Sequence, residues 1–255
     1  VKSLRNVAVD HLRLGELVRK DRLPQYEKFN ESGQFFTLEP SYAKSGDPFT
    51  NMGRITGAGS LNGRSEQFYQ ELEMLFELSL SFPVANEAAP KASSIYYISK
   101  RRIMSYFPWP SDEQRFRDEL LNKKQFQLVT PSNNPQRSFA WSPAYVEATG
   151  KGLLTTLGVP IYLEDEFIGS INLDMTLASL RKQIRLYFKM PGTVILLDQN
   201  NNILTHSDID NSDINRVYHI SQKIPSELHS IPESELFDAH EGIIRNGYYI
   251  HSVAL

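Results

Sequence analysis

The sequence predicts an α+β fold with antiparallel sheets: a long N-terminal helix followed by two tandem units of similar build. Three observations carry this. Leu4, Val7, His11, Leu14 and Val18 recur at spacings of three and four, which places them on one helical face. Short polar turns join the later segments of β character, and only antiparallel strands can be joined so briefly. One pattern also occurs twice. Ile95-Tyr96-Tyr97-Ile98, a turn, then Ile103-Met104-Ser105-Tyr106 is echoed by Val194-Ile195-Leu196-Leu197, a turn, then Ile203-Leu204-Thr205-His206. The expected divisions are a helix over 1–33, a first unit over 34–180 and a second over 181–255.

The elements follow in order. Pro24 and Gly33 are the expected kink and stop of the first helix. Residues 40–64 read as loop, with five glycines and prolines at Pro40, Gly46, Pro48, Gly53 and Gly57 before Gly59 and Gly63. Ser65 is the expected cap of a second helix whose stripe is Phe68, Leu72, Leu75, Phe76, Ser79 and Phe82. Ser94 to Ser99 and Ile103 to Phe107 read as strands around the basic turn Lys100-Arg101-Arg102. Ser111 and Gln114 form a capping box for a helix bearing Phe116 and Leu120.

Strands are expected over Ala140–Ala148, Leu153–Tyr162 and Phe167–Met175. In the last, Phe167, Ile171 and Leu173 point one way and Ser170, Asn172 and Asp174 the other. Thr176 is the cap of a helix carrying Leu177, Leu180, Ile184 and Phe188. The second unit holds the strands Thr193–Leu197 and Ile203–His206, a short helix near Ser226–His229, and a hairpin turning at Asn246-Gly247, the strongest short signal for a type I′ turn.

Composition narrows function. The chain has 255 residues and a net charge of −3, with no run of like charge, which argues against a nucleic-acid grip. It has no cysteine, so thiol nucleophiles, zinc–thiolate sites and disulfides are excluded. No stretch approaches the ~20 apolar residues of a membrane helix. Val1 opens in mid-helix and Leu255 ends an apolar run, so the chain reads as a piece of a longer protein. The acidic stretch from His206 to Asp213 lacks calcium-loop spacing, and Asp238-Ala239-His240-Glu241 is not a zinc motif. No cofactor is expected.

Three sets of residues resemble the double Cache family, also called tandem PDC, whose units are PAS-like. They are the hairpin Ser94 to Tyr106; Asn134-Pro135-Gln136-Arg137 with Trp141-Ser142-Pro143-Ala144-Tyr145; and Gly152-Leu153-Leu154-Thr155-Thr156, Val159-Pro160-Ile161-Tyr162 and Phe167-Ile168-Gly169 through Leu173-Asp174-Met175. The resemblance implies the extracytoplasmic sensor region of a bacterial transmembrane receptor: a histidine kinase in the first instance, a diguanylate cyclase or chemoreceptor as alternatives. It implies a non-catalytic region on the periplasmic or extracellular side of the inner membrane, with flanking membrane helices outside this chain. It also implies a homodimer through the N-terminal helix and a small polar ligand, amino-acid-, amine- or carboxylate-like, in the first unit. An interaction module with no small ligand is the other non-enzymatic reading.

Asp174 is the first candidate. It ends an apolar strand, where a carboxylate needs a partner. The resemblance implies that it holds a ligand ammonium; the alternative is a cap for the helix beginning near Thr176. Tyr145 matches a ligand tyrosine of the family, and Trp141 is expected on its face. Glu147 stands where the family's amino-acid pattern has Asp, and Lys123-Lys124-Gln125-Phe126 stands where it has Arg-x-Trp-Tyr, so the resemblance does not specify an α-amino acid. Arg137 is the candidate for an anionic group, or else bonds loop carbonyls. Tyr97 and Tyr106 are candidate lining residues, with core packing expected for at least one. Thr155 and Thr156 face opposite ways, so one reaches the site. The second unit offers Arg245 and His251 but no counterpart of Asp174.

Overall fold

A computed structural model describes residues 1–14, 26–29, 34–40, 53–89, 92–108, 115–146, 152–187, 192–207, 216–240 and 242–253. Pro24, Gly33, Ser111, Gln114, Glu147, Phe188 and most of the acidic stretch before Asp213 lie outside them.

The helix α1 spans Lys2–Leu14 and is shorter than expected, because Tyr26–Phe29 is already strand β1. Its buried face is Leu4, Ala8 and Leu12, while Val7 and Leu14 are exposed. The expected stripe is thus rotated: the i, i+4, i+8 row meets the core because Ala8 lets α1 approach closely.

Two strands replace much of the expected loop over 40–64 and the stretch before it: β2 (Phe35–Pro40) and β3 (Arg54–Ala58). Gly57 misleads as a loop residue. A Cβ there would stand 2.4 Å from the Phe36 ring, so the glycine makes room for packing across the strands. Helix α2 (Glu66–Ala88) is capped by Ser65, whose hydroxyl accepts from the Phe68 N–H. Pro83 lies inside α2 and cannot donate to the carbonyl one turn back; that carbonyl, of Ser79, accepts from the Gly53 N–H at 3.4 Å.

Then come β4 (Ala92–Ser99) and β5 (Ile103–Phe107), as expected. The expected helix bearing Phe116 is a 3₁₀ turn, Asp118–Asn122, followed by the single-turn α3 (Lys124–Gln127). Phe116 precedes both; it is buried and donates its N–H to Thr56 Oγ1 at 2.7 Å. The expected strand over 140–148 is two short pieces, β6 (Ala140–Trp141) and β7 (Tyr145–Val146), separated at Ser142–Ala144, where Pro143 supplies no N–H to a ladder. The strands β8 (Leu153–Leu163) and β9 (Glu166–Thr176) are the longest, and α4 (Leu177–Tyr187) follows directly.

These strands build one nine-stranded antiparallel sheet in the order β1-β2-β3-β5-β4-β9-β8-β6, with β7 also paired to β8. The α+β class and antiparallel pairing agree with the sequence. α1 and α2 cover one face. Ile55, Ile95, Ile103, Ile171 and Leu173 of the sheet pack there with Leu72, Leu75 and Phe82 of α2. The other face carries Tyr96, Ile98, Met104 and Tyr106, and is covered by Phe116 and Phe126 from the irregular segment.

Beyond α4, β10 (Ile195–Leu197) pairs with β11 (Ile203–His206), the echo of the β4–β5 hairpin. Leu177 and Leu180 of α4 join Leu153 and Leu204 in a small cluster linking this hairpin to the large sheet. A short α5 (Glu233–Phe237) precedes the hairpin of β12 (Ile243–Arg245) and β13 (Tyr248–Ile250). Asn246 and Gly247 both have positive φ, 49° and 86°, as a type I′ turn requires.

Candidate functional site

Strand register decides which side chains share the face away from α1 and α2. Opposite residues of an antiparallel pair point to the same side. Asp174 of β9 stands opposite Ser94 of β4 and opposite Thr156 of β8. The next row along holds Tyr106, Tyr96, Asn172 and Gly158. All lie on the face away from α1 and α2.

Asp174 is buried, 6 % exposed, and hydroxyls converge on it. Ser94 donates to Oδ2 at 2.9 Å; Tyr96 and Thr156 donate to Oδ1 at 3.0 and 2.7 Å. Tyr145 comes within 3.5 Å of the same oxygen but lies 2.9 Å from Thr156 Oγ1. Proton counting orders these contacts. Thr156 has one hydroxyl proton, and a carboxylate only accepts, so that proton goes to Asp174. The Tyr145 hydroxyl then donates to Thr156, forming a relay from Tyr145 through Thr156 to Asp174. Ser142 holds the relay from behind, its hydroxyl accepting from the Thr156 N–H at 2.9 Å.

The tyrosines stay protonated. Burial, and after it the Asp174 charge, push the Tyr96 phenol well above its ordinary value. Burial and then Asp174 also raise Tyr145. Tyr106 stacks on Tyr96, with ring centroids 5.4 Å apart and planes 19° apart, and forms an aromatic wall beside the carboxylate.

The capping alternative for Asp174 fails on geometry. Thr176 caps α4: its hydroxyl oxygen accepts from the Ser179 N–H at 3.0 Å. Asp174 therefore serves the hydroxyl cluster.

Three candidates fall elsewhere. Tyr97 is on the opposite face, fully buried under α2, where its hydroxyl donates to Glu71 Oε1 at 2.6 Å. Adjacent strand residues alternate sides, so Tyr96 takes the place expected of Tyr97. Trp141 pairs with Leu157, whose register partner is Leu173 on the helix-covered face. The break at Ser142–Ala144 reverses the parity expected between Trp141 and Tyr145, and Trp141 is 39 % exposed. Arg137 is half exposed and pairs with Asp165 at 2.8 Å, donates to the Glu164 carbonyl, and lies 4.1 Å over the Tyr162 ring. It braces the β8–β9 turn. Tyr106 and Tyr145 lie on the same face as Asp174. Of the two threonines, Thr156 reaches the site while Thr155 bonds the Ser142 carbonyl.

The sequence reading missed Ser94 and Tyr96. Their signal was parity alone: both are an even number of residues apart on a strand that pairs with β9. Beyond α5, Arg245 is held by Glu235 and His251 is exposed. Among the described residues no cluster of three or more metal-ligating side chains occurs, and no helix is long and apolar enough to cross a membrane.

No protein-family model and no curated protein matches the chain. Solved structures do. The extracellular domain of a candidate histidine kinase aligns at 14 % identity over 66 % of this chain and 67 % of that one, with a TM-score of 0.47. The ligand-binding domain of the amino-acid chemoreceptor PctC of Pseudomonas aeruginosa, in complex with GABA, aligns at 16 % identity over 61 % and 66 %, with a TM-score of 0.42. The sensory domain of the Campylobacter jejuni chemoreceptor Tlp3, with isoleucine bound, aligns at 15 % identity over 97 % and 85 %, also with 0.42. The structures it resembles are extracellular or ligand-binding domains of sensory proteins. The first two alignments span about two thirds of those proteins' chains, 67 % and 66 %.

Proposed function

We propose that this chain is the extracytoplasmic sensor region of a transmembrane receptor of the double Cache type, and that its first unit binds a small ligand through an ammonium group at Asp174. The observation that carries this reading is the buried carboxylate on the face away from α1 and α2, accepting from three hydroxyls and not used to cap α4. The hydroxyls of Ser94, Tyr96 and Thr156 donate to this carboxylate, and a charge-assisted bond from a ligand ammonium to it is strong where water is excluded. The tyrosine rings beside it supply the apolar wall that an amine's carbon chain needs.

The output module is that of a histidine kinase, with a diguanylate cyclase or chemoreceptor as alternatives. The region itself is non-catalytic. The two-unit division over 34–180 and 181–255 is part of the same reading, as is the location outside the cytoplasm. Signalling needs the ligand to favour one of two packed arrangements over the other. α1 is the element through which copies pair. Val7 and Leu14 remain exposed on it while Leu4, Ala8 and Leu12 are buried against the core.

The test is a thermal-shift screen of the purified chain against amino acids, amines, small carboxylates and nucleobases, repeated with Asp174→Ala. An amine-bearing compound that raises the melting temperature of the native chain, with no shift in a folded variant, is the expected result. A blank across all classes, or a shift that survives Asp174→Ala, would overturn the site.

A further inference from the structure

One buried polar atom beside Asp174 has no partner. Asn172 is fully buried, and its Oδ1 accepts no hydrogen bond, although its amide nitrogen donates to Ser170 Oγ at 2.9 Å and to the Ser170 carbonyl at 3.3 Å. The carbonyl only accepts, so the nitrogen faces Ser170 and the oxygen faces the other way. That way is over Gly158. A Cβ built on Gly158 would sit 3.0 Å from Asn172 Oδ1 and 2.9 Å from Val129. Any larger residue at 158 would therefore press on this oxygen. Thr156, which bonds Asp174, stands two residues before Gly158 on the same face.

Leaving a buried acceptor unsatisfied is costly relative to pairing it. Native interiors pair the large majority of such atoms, and an exception calls for an account. Asn172 and Asp174 project to one side of β9, two residues apart, which sets them about 7 Å apart along the strand. One molecule lying along β9 can meet both.

We infer that Asn172 is a specificity-determining residue: its Oδ1 accepts a hydrogen bond from a second donor on the ligand, so that the site takes a cation bearing a hydroxyl or N–H some four or five bonds from its ammonium. This rests on the reading that Asp174 holds the ammonium. A molecule with a methyl group in place of the donor would bury the oxygen unpaired and is discriminated against.

The experiment compares 4-amino-1-butanol with n-pentylamine, which has the same number of heavy atoms and a methyl in place of the hydroxyl. Binding to the full chain is measured by calorimetry at neutral pH, for the native protein, Asn172→Leu and Asp174→Asn. The amino alcohol is expected to bind the native chain about tenfold more tightly, the worth of one satisfied buried acceptor. Asn172→Leu brings it down to the alkylamine's level, and Asp174→Asn abolishes both. Equal binding of the two amines to the native chain, still lost in Asp174→Asn, overturns the role of Asn172 and leaves the ammonium site standing. No binding of either amine overturns both. The first comparison needs no variant, so it holds even where Asn172→Leu folds poorly.

Discussion

Ser94 and Asp174 stand directly opposite one another on β4 and β9, and the Ser94 hydroxyl donates to Asp174 Oδ2 at 2.9 Å. This pair ties the β4–β5 hairpin to the strand that runs into α4.

The relay through Thr156 sets the order of two substitutions. Thr156→Val keeps the shape of the side chain and removes a 2.7 Å bond to the carboxylate. Hydrogen bonds to charged groups are worth about 1.5–3 kcal/mol, so urea unfolding should show a loss in that range. Tyr145→Phe removes a neutral bond to Thr156 and a contact of 3.5 Å to Asp174, and should cost about 1 kcal/mol. A larger loss for Tyr145→Phe would contradict the assigned direction of the relay.

Alkaline pH should destabilise the fold through the tyrosines. Tyr96, Tyr97 and Tyr145 all have folded-state values raised by burial first, then by the carboxylates beside them. A raised value means that the folded protein retains a proton which the unfolded chain gives up. The stability is present below the unfolded value near 10 and is lost as pH rises from there. Chemical denaturation from pH 8 to pH 12 should show a steep fall above about 10. Tyr96→Phe should flatten it.

Glu71 gives the opposite end of the range. It is fully buried between α2 and the β4–β5 turn, accepting from Tyr97 at 2.6 Å and pairing with Arg101 at 2.9 Å. Burial raises its value above the ordinary one, against the pull of Ser99, Tyr97 and Arg101. Its contribution is present at acid pH and lost as pH rises through the folded value. Comparing melting temperatures of the native chain and Glu71→Gln from pH 4 to pH 8, the variant should gain on the native chain as pH increases. A constant difference would mean that Arg101 holds Glu71 charged throughout.

Arg137→Ala should change little. Its ion pair with Asp165 is exposed on both sides, at 44 % and 95 %, and such pairs contribute about 0–1 kcal/mol. Ligand affinity should be unchanged, because Arg137 sits at the β8–β9 turn and not beside Asp174. A loss of binding with intact stability would return Arg137 to the site.

The candidate carboxylate was readable from the chain because β9 alternates: Ile171 and Leu173 against Ser170, Asn172 and Asp174. A charged residue on one side of such a strand announces itself. Its partners were less readable. β4 carries a tyrosine on each side, Tyr96 and Tyr97, and only pairing with β9 shows which one lies beside Asp174. Trp141 illustrates the same limit, since the Ser142–Ala144 break sets one extra residue against β8 and turns Tyr145 to the other face.

What the sequence by itself determined was local: the α2 stripe and its Ser65 cap, the β4–β5 and β8–β9 strands, the Asn246-Gly247 turn, and the presence of a carboxylate where an apolar strand ends. These follow from periodicity, capping and turn chemistry, which act over a few residues. The tertiary structure alone decided which hydroxyls surround Asp174, that Arg137 serves a turn, that Tyr97 belongs to Glu71, and that β2 and β3 extend the sheet. Those outcomes depend on register between strands as far apart as β4 and β9. A one-residue slip there turns every side chain over, and nothing within either strand fixes it.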